Sequence, residues 1–382
     1  MRTSTDRILT THVGSMPRPE DLVDLLYKVE FNEPYDHSEF ERSVREAVAD
    51  IVAKQCAWGL DIVNDGEMGK TGYATYIQQR LEGFSGESAS IRFDDMTNFP
   101  EYRREQAKAA GTRRLNRPCC TGEVTIRDRG PLTRDIENLT SATADAGISD
   151  VFMNAASPGV IAVFQDNHYY PSDDAYLQAL ADIMKEEYEA IVDAGFILQI
   201  DCPDLAMGRH TAFRELSDRQ FLARAAVQIE ALNSALENIA ADRVRMHICW
   251  GNYEGPHHRD IPLAAILDEV LKAKPKGLLI EASNPRHAHE WSVFAERGFP
   301  DDKVLIPGVI DSVTNYIEHP ELVAQRICQF ADVVGRERVI AGADCGFATF
   351  AGMGAVDAKI AAEKFKALTE GAEIASKRLW GG

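Results

Sequence analysis

Nine short apolar runs punctuate the chain, at 7–15, 60–67, 118–126, 150–159, 196–203, 244–251, 277–285, 304–311 and 339–347. Their length, their β-branched content and the glycines, prolines and aspartates that bound them are those of buried strands. Between many of them lie longer segments with apolar residues at helical spacing: 38–59, 173–195, 217–239 and 320–335. The first closes on Gly59 and the second on Gly195, as helices with glycine C-caps do. Strand and helix in alternation imply a parallel sheet with helical crossovers. A (β/α)8 barrel takes eight strands, so one run is surplus. The odd one is 118–126, which sits among polar and basic residues with no clean helix separating it from the second strand. The pattern therefore predicts an α/β fold, a (β/α)8 TIM barrel. A single domain over 1–382 is expected, with an insertion at 84–135 that carries a β-hairpin between strands two and three. No linker rich in proline, glycine or serine divides the chain, and no tandem repeat is visible.

The strand ends carry the chemistry. Gly14 and Ser15 follow strand one, and Asp65, Gly66 and Glu67 follow strand two. Asp201 and Cys202 close strand four, His247 and Cys249 strand five, and Glu281 strand six. Asp311 closes strand seven, and Asp344 and Cys345 strand eight. In a (β/α)8 barrel these ends form the active-site face. His247 and Cys249 stand two apart, so on a strand they share a face. With Cys345 and Glu281 on the same rim, strands five, six and eight can converge on one ion. Thiolate and imidazole ligands favour zinc over magnesium or calcium. The competing reading is core filling, because free cysteine is among the most buried residue types. His287 and His289, and His257 and His258, are expected to be solvated or substrate-facing. Cys119 and Cys120 are adjacent and face apart on a strand, which suits no chelate. Cys202 reads as a small rim-filling residue. No P-loop, dinucleotide fingerprint or nucleophile elbow is present.

Composition narrows the class further. The chain has 382 residues, 45% hydrophobic and 26% charged, which is globular usage. The net charge of −19 disfavours nucleic acid and anionic membranes as partners. No run is long enough for a membrane span, and the first residues lack a signal core, so a cytoplasmic location is expected. Seven cysteines, an odd number in a long chain, argue for reduced thiols rather than a disulfide framework. A homo-oligomer is left open.

The ordered motifs "LTTHVGSMPRP", "DGE", "LQID" with Pro203 just after it, "HIC", "IEAS", "PGVID" and "DCGF" resemble those of cobalamin-independent methionine synthases. The likeness runs over essentially the full length, to the catalytic C-terminal half of that enzyme. It is closer still to short single-barrel relatives, which include epoxyalkane–coenzyme M transferases. The resemblance implies a barrel holding Zn²⁺ through His247, Cys249, Glu281 and Cys345. It also implies that Ser15, Glu67 and Asp201 hold an amino-acid thiol, homocysteine in the family. Folate-using members carry a histidine two residues after the aspartate of "PGV-x-D", as acid for the folate leaving group. Here Val313 stands at that place. The family's "IDEPALRE" becomes "IDCPDLAM", with Cys202 and Met207 in place of two glutamates. Candidate acids in this chain are Asp311, His257, Tyr169 and Tyr170. The expected activity is zinc-dependent alkylation of a small-molecule thiol, most simply S-methylation of homocysteine or a related thiol, with methyltetrahydrofolate a poor donor. The alternative is transfer of a thiol to an epoxide, as in 2-hydroxyalkyl coenzyme M lyase.

Overall fold

The computed structural model describes residues 1–109, 115–144, 146–148 and 150–381. Ten strands are defined there: β1 (Leu9–Thr10), β2 (Ile62–Val63), β3 (Leu81–Ser85), β4 (Cys119–Ile126), β5 (Asp150–Ala156), β6 (Ile197–Asp201), β7 (Val244–His247), β8 (Gly277–Ile280), β9 (Val304–Ile310) and β10 (Ile340–Ala343). Eight of them form one parallel sheet in the order β1-β10-β9-β8-β7-β6-β5-β2. The sheet curls until its two ends meet. Asp61 N donates to Thr10 O at 3.2 Å and Thr11 Oγ1 to Ile62 O at 3.2 Å, across the β1/β2 seam. This is the eight-stranded barrel that the alternation of patterns predicts.

The surplus run is β4. It pairs antiparallel with β3, outside the barrel, from Leu81↔Ile126 to Ser85↔Cys119. Gly83 (φ 97°) supplies the irregularity in this ladder, and a Cβ there would meet Glu123 O at 2.6 Å. The pairing starts at Leu81, ahead of the expected residue 84. The helix Gly130–Thr143 then returns the chain to the barrel. Residues 110–114 of the expected insertion lie outside the described residues.

The expected helices form where periodicity and caps agree. The helix His37–Ala57 starts on Asp36, whose side chain accepts from Ser38 N and Glu39 N. The helix Asp218–Ala235 starts on a capping box of Ser217 and Gln220. The helices Asp173–Asp193 and Pro320–Val334 bury their apolar stripes against the sheet and against their neighbouring helices. The strands are shorter than the apolar runs. In the barrel the ladder stops before each run ends, after two residues in the first two runs and after seven in 304–311, and the last residues turn away as rim loop. That shortening places Cys249, Glu281, Asp311 and Cys345 just beyond strand ends.

The barrel interior is apolar at its lower layers, with Leu9, Ile62, Phe152, Ile197, Leu279, Ile306 and Ile340 among its fillers. One cation is buried with them. The Arg245 guanidinium sits 3.6 Å from the Phe152 ring centroid and donates to Gln199 Oε1 (2.8 Å), Thr11 Oγ1 (2.9 Å) and His12 O (2.9 Å). Burial lowers its pKa to about 9. Paired donors and a ring face offset the cost of burying it.

Candidate metal and substrate site

The β6–β7 register sets Asp201 opposite His247, the last residues of their strands. Beyond β7 the chain turns through Gly251 (φ 119°), and Cys249 meets Cys345 from the loop after β10. The donor atoms of His247, Cys249 and Cys345 all lie within 4.8 Å of one another, and all three residues are buried. The two sulfurs are 3.7 Å apart, too far for a disulfide, and all seven cysteines are free. Zinc–sulfur bonds of about 2.3 Å in a tetrahedron put two sulfurs about 3.8 Å apart. The donor set and its spacing therefore fit zinc. Without a metal, the contact with Cys345 and then burial hold the Cys249 thiol well above its ordinary pKa.

His247 is oriented from behind. Its Nδ1 lies 3.3 Å from Asp201 Oδ1, which also accepts from Gln199 Nε2 at 2.9 Å. Asp201 Oδ2 accepts from Asn154 Nδ2 at 2.9 Å. A proton shared between Nδ1 and Asp201 leaves Nε2, 3.3 Å from Asp344 O, as the nitrogen open to a metal. Glu281 is placed differently from the other three residues of the expected set. Its Oε1 accepts from Trp250 N and its Oε2 from Asn284 Nδ2, both at 2.8 Å. It stands beside the cluster and does not join it.

A cavity of about 390 Å³ opens over the cluster, and Ser15, Glu67 and Asp201 all line it. Glu67 is held in the left-handed region at φ 55°, next to Gly66 at φ 65°. Asn64 Oδ1 and Asp65 Oδ1 fix this turn by accepting from Gly66 N and Glu67 N, and Arg18 Nε donates to Glu67 O. Such over-determined strain is typical of functional turns. The result is a carboxylate whose Oε2 is buried and has no protein partner. Burial raises its pKa, with Asp201 adding to the rise. Ser15 is pressed against Gly346, where a Cβ would lie 2.0 Å from Ser15 Oγ. The upper wall is aromatic, built from Tyr73, Phe93, Tyr253 and Phe350. None of these four was legible as a site residue. They come from loops without periodicity, and Phe93 arrives from the stretch between β3 and β4.

The candidate acids fall elsewhere. Asp311 lines a smaller cavity of about 200 Å³, together with His257, Val313 and Glu281, on the other side of Cys345. Asp311 Oδ1 caps its own turn, accepting from Val313 N at 2.6 Å and Thr314 N at 2.8 Å. Both His257 ring nitrogens have protein partners, Asp260 Oδ2 at 2.9 Å and Tyr253 O at 3.0 Å. Tyr169 is exposed and Tyr170 OH is engaged by Val124 N, and neither lines either cavity. Of the two histidine pairs, expected to be solvated or substrate-facing, His287 departs from that state. His287 is buried between Asp260 and Glu290, at 3.0 and 2.7 Å, and sits against the Trp250 ring. Burial opposes its charge, yet the two carboxylates raise its pKa to about 10. His258 and His289 are exposed. Cys202 is buried beneath the rim and lines neither cavity, and Met207 is buried too, its N donating to Cys249 O at 3.1 Å.

Residues 8–362 match the family model described as cobalamin-independent synthase, catalytic domain. The chain belongs to that family. Among its relatives, the methionine synthase of Saccharolobus solfataricus is 24% identical over 375 residues, covering 97% of this chain and 95% of that one. The methionine synthase of Thermococcus kodakarensis is 24% identical over 376 residues, covering 97% and 94%. The structure of a B12-independent methionine synthase from Shewanella sp. W3-18-1, in complex with selenomethionine, superposes with a TM-score of 0.75 at 19% identity, over 98% of this chain and all of that one. The likeness to that structure is one of fold. Among the described residues, no helix is long and apolar enough to cross a membrane.

Proposed function

We propose that this member of the cobalamin-independent synthase family is a zinc-dependent thiol alkyltransferase that methylates homocysteine or a closely related small thiol. The observation that carries the reading is the His247–Cys249–Cys345 cluster at the floor of a cavity lined by Glu67, a buried carboxylate whose Oε2 has no protein partner. Three protein ligands leave one tetrahedral position for a substrate, the pattern of catalytic rather than structural sites. Zinc, when bound, supplies the positive charge that lets a thiol ionise near neutral pH.

The chain's own residues do the rest. His247, Cys249 and Cys345 hold the ion, and Asp201 keeps the His247 ring in the ligating tautomer. Glu281, hydrogen-bonded to Trp250 N and Asn284, stays beside the ion and leaves the fourth position to the substrate. Glu67 Oε2 accepts from the ammonium of an amino-acid thiol, and binding that cation returns the carboxyl to its ionised form. Ser15, fixed by Gly346, offers a hydroxyl beside it. Tyr73, Phe93, Tyr253 and Phe350 exclude water from the reacting sulfur. Relatives named methionine synthase support the methyl-transfer reading. Val313 in place of the folate acid, and Asp311 and His257 tied up by their own neighbours, favour a donor other than methyltetrahydrofolate. Epoxide transfer onto an anionic thiol such as coenzyme M is supported less, because among the described residues no lysine or arginine lines the cavity.

Calorimetric titration of homocysteine into metal-loaded and chelator-treated protein tests the reading. Binding that needs the metal supports it. Equal binding by both forms contradicts it.

A further inference from the structure

The wall above the cysteine cluster contains two packed ring pairs. Tyr73 and Phe350 have centroids 5.6 Å apart at 47°, and Phe93 and Tyr253 have centroids 4.5 Å apart at 55°. All four line the cavity that also receives Ser15, Glu67 and Asp201. The carboxylates in this lining are Glu67 and Asp201, and among the described residues neither lysine nor arginine reaches it. The cavity thus offers π faces and negative charge to a ligand, with few hydrogen-bond donors. A ligand that is cationic but has no N–H or O–H at its charged centre fits such walls best. Onium groups are of this kind, and aromatic cages recognise them through the ring quadrupoles. With the two cysteine sulfurs offset by the metal they hold, an anionic donor would still meet Glu67 and Asp201 with no lysine or arginine in the described lining.

A second observation is independent of the wall. Val313 cannot donate a proton, Asp311 Oδ1 caps its own turn, and both nitrogens of His257 are already partnered. A donor whose leaving group needs no proton is suited to this rim.

We propose that the alkyl donor is a small onium compound, a sulfonium or a quaternary ammonium, whose charged centre is held by the aromatic wall facing the His247–Cys249–Cys345 cluster. This rests on the thiol-methylation reading above and names the donor class. In the transfer, the ionised thiol sulfur forms the new S–C bond to the methyl carbon. The bond from that carbon to the onium sulfur or nitrogen breaks, and its electron pair stays on the leaving atom. That atom departs neutral, as a thioether or a tertiary amine, and the thiol's original proton passes to solvent. Charge balances with no acid at the leaving group.

The test compares ligands of equal shape and different charge on metal-loaded wild-type protein. Choline and its neutral carbon isostere 3,3-dimethylbutan-1-ol are titrated, followed by trimethylsulfonium and tetramethylammonium. We expect choline to bind about tenfold or more tighter than the isostere. The tighter of the two small cations then tells sulfonium from ammonium. Phe350→Leu and Phe93→Leu keep apolar bulk and remove a ring, and each should bring choline down toward the isostere while zinc content stays unchanged. Equal affinity for choline and isostere, or onium binding indifferent to both substitutions, overturns the proposal. Zinc content and homocysteine binding are measured on the same samples. If those persist while onium selectivity is absent, the donor class alone is wrong. If those are lost while selectivity remains, the thiol-methylation reading is wrong and the cage stands.

Discussion

Asp201 Oδ1 lies 3.3 Å from His247 Nδ1, at the upper end of a buried chain that begins with Arg245 Nε donating to Gln199 Oε1 and continues with Gln199 Nε2 donating to Asp201 Oδ1. A cation at the barrel's lower layer thus holds the amide that holds the carboxylate that holds the ring. Groups that fix the orientation of a ligand histidine are worth about 10–100-fold in metal affinity. Asp201→Asn should weaken zinc binding by about that factor while the protein stays folded. Competition against a chromophoric chelator, with circular dichroism as the folding control, checks this.

Gly346→Ala places a methyl where Ser15 Oγ now sits, 2.0 Å from the new Cβ. The rim must shift, and overpacking of this kind costs about 1–3 kcal/mol. Homocysteine binding should fall more than tenfold, and by more than zinc affinity, which the shift reaches only through the adjoining Cys345. Unchanged homocysteine affinity would remove Ser15 from the thiol site.

A pH effect is expected well away from the cluster. Burial raises the Glu30 carboxyl to about 7, while Thr71 and Asn116 lower it less. A folded pKa above the unfolded one means the folded state holds the proton more tightly. Stability from this group is full below about pH 4 and is lost as pH rises through about 7. Glu30→Gln cannot ionise, so it should gain on the order of 1–3 kcal/mol over wild type at pH 8 and nothing at pH 4.5. Urea unfolding at the two pH values reads the difference. A gain of equal size at both would assign it to packing.

The eight-strand alternation, the surplus run 118–126 and the ionisable rim could all be read from periodicity, because each strand buries a short continuous apolar run and stops at a polar residue. His247 and Asp201 were legible for the same reason: they end strands. Cys249 and Cys345 were legible as types, although both stand past the ladder and meet through loop geometry. What stayed hidden depends on long-range contact. His287 reads as a loop histidine, and only the fold brings Asp260 and Glu290 to it. The left-handed Glu67, the packing of Ser15 against Gly346 and the four-ring wall have no local period to betray them. Phe93 reaches the cavity only because the excursion between β3 and β4 folds back, with Asp95 Oδ2 accepting from Tyr253 OH at 2.7 Å.

Methyltetrahydrofolate should be turned over slowly. Losing a positioned acid typically costs about 10²–10⁴-fold, and Val313 supplies none. A side-by-side assay of homocysteine with methyltetrahydrofolate, small epoxides and onium donors measures the ranking. Rapid methionine formation from methyltetrahydrofolate would mean that another group protonates the leaving amine.

Zinc content of wild type, Cys202→Ala and Cys345→Ala is the most direct measurement. Cys345 gives a sulfur to the cluster, 3.7 Å from that of Cys249, whereas Cys202 is buried below it and bonds weakly to Ile200 O. Elemental analysis after dialysis should find one zinc per chain in wild type and Cys202→Ala, and little in Cys345→Ala. Full zinc occupancy in Cys345→Ala, or none in the wild-type protein, would contradict the site.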